Sequence, residues 1–212
     1  LEQRFLNASP VGKGLVPISD VAFSKHRISA EMLKGKPEFK ERAPALVAFF
    51  EEHLKTAEAG VLGAHNGDSC DFRLLGVEMA RAGATWPTKI KYTLDTYLSI
   101  NRVKSLDYHK VGADASKWPT RTDTGKASMA VEPVVDYIVK VRGAFGKPAD
   151  PLATFRSVCG NAHEACADAV GAAAMWFDVA PNVETLQSKW SNGLFRPMSV
   201  WVDIGKELLA KP

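Results

Sequence analysis

Cysteine is scarce in this sequence and long apolar runs are missing. Cys70, Cys159 and Cys166 are the only cysteines in 212 residues. An odd, sparse count excludes a disulfide scaffold and points to a reducing, intracellular setting. No apolar run approaches the ~20 residues that span a bilayer, so no membrane partner is expected. No signal peptide is visible at the start, and there is no internal repeat or low-complexity tract. Charge of one sign is not in large excess either. The net charge of +3 permits a polyanionic partner without requiring one.

What is present suits a globular chain with a core: 46% hydrophobic and 24% charged residues. The length fits one domain, taken as residues 1–180, followed by a tail over 181–212 that packs on it through Trp190, Phe195 and Trp201. Between Lys89 and Lys126, the cations Lys91, Arg102, Lys104, Lys110, Lys117 and Arg121 alternate with Tyr92, Tyr97, Tyr108 and Trp118. Cations among aromatics suit single-stranded nucleic acid, which offers phosphates and open base faces. An ordinary solvated surface has the same composition.

The pattern along the chain is one of strands alternating with helices. Ser29 is placed to cap a short helix from Ala30. Residues 38–59 have helical periodicity, with Pro44 expected in the first turn. Val61 to Ala64 reads as a buried strand. Asn66-Gly67 is a turn, and a helix from about Asp68 to Arg81 stops at Gly83. Ile90 to Leu94 alternates as a strand ending at Asp95, and helices are expected over 96–103, 131–141 and 162–177, with a last helical stretch near Ile204 to Leu209. The fold class expected is therefore α/β.

Two segments concentrate chemistry. The first is His65-Asn66-Gly67-Asp68-Ser69-Cys70-Asp71, where a strand ends, the chain turns and a helix begins with Asp71 in its first turn. Open α/β sheets bind ligands at such strand ends. Asp68 or Ser69 as the helix cap, with Asp71 as a capping-box acid, accounts for the same residues without any ligand. The second is His163 with Asp168 in an Ala-rich helix. A zinc site of Cys70, Cys159, His163 and Cys166 is a further option, although no Cys-x2-Cys pair supports it.

Together these segments resemble the second and third motifs of the DEDDh family of 3′–5′ exonucleases. His26-Arg27-Ile28-Ser29 is similar to that family's His-Gly-Ile-Ser/Thr turn, with Arg27 in place of the glycine, and Asp95-Thr96 resembles an Asp-Thr pair at a strand end. The likeness covers about residues 4–178. It implies a ribonuclease H-like mixed sheet with helices on both faces, and a two-metal hydrolysis of the 3′ end of single-stranded DNA or RNA. It further implies Asp71 and Asp168 as ligands of Mg²⁺ or Mn²⁺ (two ions in the complete site) and His163 as general base. His26, Ile28, His65 and Asn66 would line the terminal-nucleotide pocket. The family's first motif, Asp-x-Glu, is absent: no Asp here is followed two residues later by Glu. The N-terminal strands and two carboxylates are therefore expected from a cleaved segment or a second chain. A non-catalytic binding or assembly module on the same fold is the alternative expectation.

Overall fold

The computed structural model describes residues 18–101, 118–140, 165–179 and 195–210. The chain divides into two compact units. The first comprises residues 1–62, 70–92 and 197–212, and the second 63–69 and 93–196.

The first unit begins with α1 (Asp20–His26) and α2 (Ala30–Leu33). Ser29 caps α2 as expected, its Oγ accepting from the Met32 N–H at 3.2 Å. Arg27, between the two helices, has φ of +57°, a left-handed conformation uncommon outside glycine.

Helix α3 spans Phe39–His53. It starts a turn earlier than Pro44 suggested, because the Glu41 carboxylate accepts from the Glu38 N–H at 2.7 Å and secures the first turn. Pro44 forfeits only one backbone bond there, close to the helix end. The helix also stops before residue 59. Lys89 Nζ donates to the carbonyls of Leu54 and Lys55 at 2.9 and 2.7 Å, so this cation serves the helix terminus.

Strand β1 (Gly60–Ala64) leads to α4 (Asp71–Arg81). The expectation of a buried β1 is corrected: Val61 is 49% exposed. Helix α4 ends as its sequence predicts. Gly83 takes φ of +64°, Ala84 donates to Met79 O and Gly83 to Ala80 O, which satisfies two terminal carbonyls. Across α4 lies α7 (Ser199–Ala210). Phe72 and Trp201 are both buried and their rings sit 5.6 Å apart.

The second unit is built on the end of β2 (Ile90–Asp95), a helical stretch over 96–101, α5 (Val131–Lys140) and α6 (Ala165–Val179). The period of α5 places Val134, Val135 and Ile138 inward, as expected. They bury with Leu94, Ile100, Trp118, Tyr137 and Met175 in one cluster. Before α5, residues 118–129 form a small hairpin closed by a Thr120–Ala127 bridge. Trp118 anchors it, stacking on Tyr137 at 4.8 Å and donating Nε1–H to Ser128 O at 2.9 Å.

β1, β2 and β3 (Phe195–Pro197) form a mixed sheet in the order β1-β2-β3. The Gly60 N–H meets Lys89 O at one end and Thr96 Oγ1 meets Ala64 O at the other, so β1 and β2 run parallel and finish on the same edge. The chain is α/β, as the alternation implied. No helix among the described residues is long and apolar enough to cross a membrane.

Candidate functional site

The edge where two parallel strands finish carries the most organised polar group of the second unit. Asp95 closes β2 and is only 4% exposed. A buried carboxylate is costly unless its lone pairs are satisfied, and here three backbone N–H groups converge on it. Oδ1 accepts from Asn66 at 2.8 Å and from Tyr97 at 2.9 Å, and Oδ2 accepts from Asp68 at 3.1 Å. The turn after β1 is thus folded around an anion supplied by β2. Asn66 takes φ of +62° in this turn, and its side chain is exposed. Asparagine tolerates that conformation better than most residues.

This arrangement overturns the expected helix cap. Asp68 does not cap α4. Its N–H goes to Asp95, and its carboxylate pairs with Arg196 Nε at 2.6 Å. Helix α4 instead starts at Asp71, with Cys70 in the cap position and no side-chain cap bond. Asp68 is bound to two non-local partners, Asp95 and Arg196.

His65 precedes the turn and is braced on both ring nitrogens. Nε2 donates to Met129 O at 2.7 Å, since a carbonyl can only accept. Nδ1 lies 3.1 Å from Thr96 Oγ1, whose hydroxyl also reaches Ala64 O at 3.3 Å. The hydroxyl can donate to Nδ1 when the ring is neutral, or turn to Ala64 and accept when it is charged. The ring therefore keeps its position in either form, with its edge toward Tyr97 at 5.6 Å. It joins the base of the hairpin to the strand end and has no ring nitrogen to offer a nucleotide.

The remaining expected residues are distributed as follows. His26 is the last residue of α1, and Ile28 is half-buried just after Arg27. Asp71 is exposed in the first turn of α4, in the first unit. Asp168 is half-buried in the first turn of α6, in the second unit. His163 lies outside the described residues, as does Cys159. Cys70 is an exposed free thiol. Asp71 and Asp168 offer hard carboxylate oxygens, donor chemistry that suits Mg²⁺ or Mn²⁺. Among the described residues no three His, Cys, Asp or Glu side chains gather as a metal group.

Of the basic stretch, Lys91, Arg121 and Lys126 are exposed, while Arg102, Lys104, Lys110 and Lys117 lie outside the described residues. Arg121 forks onto Asp123 at 2.7 and 3.1 Å. That hydrogen bonding holds the Asp123 carboxyl below, and the Arg121 guanidinium above, its ordinary range.

Two residues escaped sequence reasoning. Asp95 was legible as a strand end and as part of an Asp-Thr pair, but nothing local marks it as the acceptor for a turn that lies well upstream. Arg196 carried no signal, because β3 is too short for a period to show. Neither the models of known protein families nor the curated proteins gave a match to this chain.

Proposed function

We propose that this chain carries part of a 3′–5′ exonuclease site of the DEDDh kind, acting on single-stranded DNA or RNA. The observation that carries this reading is the organised turn at the parallel strand ends: His65, Asn66 and Asp68 ordered on Asp95, with Asp71 opening the helix that follows. Such a strand–turn–helix at a sheet's carboxyl edge is where α/β folds bind substrates. Arg27 adds support. Its φ of +57° occurs at the position where the resemblance expects a glycine, the residue that adopts this conformation most readily.

In this reading Asn66 contacts the terminal nucleotide through its exposed carboxamide, and His65 contributes shape, its ring nitrogens being engaged within the protein. Asp71 and Asp168 hold divalent cations together with two carboxylates from an Asp-x-Glu pair that this sequence does not contain. When bound, two such ions stabilise charge on the attacking and leaving oxygens of a phosphodiester. His163 removes a proton from the attacking water, a role suited to a side chain that titrates near neutrality.

The test is hydrolysis of 5′-labelled single-stranded DNA and RNA by the natural full-length protein with Mg²⁺ or Mn²⁺, beside His163→Ala and Asp168→Ala. Stepwise shortening from the 3′ end, lowered at least ~10³-fold by either substitution, is expected. A folded protein that leaves both substrates intact but still binds them would favour a non-catalytic module, consistent with the absent Asp-x-Glu pair.

A further inference from the structure

We infer that Arg196 binds a backbone phosphate of the single-stranded substrate, presented there by Asp68. The inference rests on the proposed nucleic-acid reading and adds a contact outside the motifs that suggested it.

Arg196 lies in β3, in the second unit, with its side chain 48% exposed, while its partner Asp68 is only 15% exposed. The 2.6 Å contact engages Nε, the inner nitrogen of the guanidinium. A guanidinium carries five N–H donors in a rigid plane. The ion pair keeps the guanidinium at the turn after β1. Asp68 is itself tethered, its N–H bound to the buried Asp95 carboxylate at 3.1 Å. The exposed fork is therefore two bonds removed from a buried anchor.

A guanidinium already held near the turn by an ion pair loses less freedom on binding, and its fork matches two oxygens of a phosphate. The ion pair neutralises Asp68, and Asp95 is satisfied by its three N–H donors. The same turn carries Asn66, whose side chain is exposed and whose N–H shares the Asp95 carboxylate with Asp68. A nucleotide on Asn66 and a phosphate on Arg196 would thus be read from one tethered segment. An Arg196 whose sole purpose was to fasten β3 would leave nucleic-acid binding, and its salt dependence, unchanged on removal.

The experiment measures fluorescence anisotropy of labelled oligo-dT and oligo-rU 15-mers with the full-length natural protein, with Ca²⁺ replacing Mg²⁺, across 50–300 mM salt. Arg196→Gln is expected to raise Kd about 5–30-fold at low salt and to flatten the log–log salt slope by roughly 0.7. Arg196→Lys retains an ion pair with Asp68 and most of the slope, and recovers only part of the affinity, because an ammonium lacks the fork. It serves as the reference should the Gln variant fold poorly, its folding being checked by thermal melting. Arg196→Gln with the affinity and slope of the wild type would overturn the inference while leaving the exonuclease reading intact. A wild-type protein that binds neither oligonucleotide would overturn both.

Discussion

In the first unit α4 and α7 approach until backbone meets backbone: a Cβ on Gly76 would sit 2.5 Å from Trp201 O, and one on Gly205 would meet the Gly76 carbonyl. The second unit is specified differently. It is held by a cluster of large side chains, Trp118, Tyr137, Ile138 and Met175 among them, and by a polar knot around Asp95. The contrast separates two ways of specifying a fold. Where glycines allow close approach, side-chain volume is the forbidden quantity. Where a buried acid gathers distant N–H groups, the forbidden change is the loss of an acceptor. Only the second arrangement also orients groups toward solvent, which is why Asn66 and Arg196 are found there.

The largest expected effect tests the first side of this contrast. Gly205→Ala puts a methyl into the Gly76 backbone, which cannot rotate aside, and should cost about 3 kcal/mol or more in denaturant unfolding. A cost near the few tenths expected of an exposed helix site would show that the crossing is not close-packed.

The next largest tests the other side. Asp95→Ala leaves the N–H groups of Asn66, Asp68 and Tyr97 without their acceptor. A loss of about 2–3 kcal/mol is expected, with faster amide exchange at those three residues. If exchange there stayed at wild-type rates, the turn would be held by something other than Asp95, and the contrast between the units would collapse.

The smallest effect has the opposite sign. Arg27→Gly relieves a left-handed residue, although glycine gives the unfolded chain more freedom. A net gain of roughly 0.5 kcal/mol in the unfolding midpoint is expected. A destabilised variant would mean that the Arg27 side chain contributes more than its backbone costs.

Legibility in the sequence followed the reach of each interaction. Local devices were readable: Ser29 as a cap, Gly83 as a stop, the α5 face of Val134, Val135 and Ile138, and the end of β2 at Asp95. Each depends on neighbours within a turn or two. Pro44 misled because the Glu38–Glu41 pairing outweighed the usual place for proline. Asp68 misled because two of its partners, Asp95 and Arg196, lie far along the chain, while its local surroundings resemble those of an ordinary cap. For the same reason the site was half legible. His65-Asn66 and Asp71 stand in a recognisable run, but the acid that shapes the turn and the cation beside it belong to other strands.

The pairing of α4 with α7 also bears on how the chain acquires its fold. Gly76 and Gly205 lie far apart in the sequence, so their contact closes a long loop. Loop closure of that span is entropically slow, and contacts of high sequence separation mark slow-folding topologies. Helix α4 is made before α7, so its Phe72 face must wait for Trp201. Over that interval an apolar helix face stands without its partner, which is the period in which a chaperone or an aggregate would compete for it.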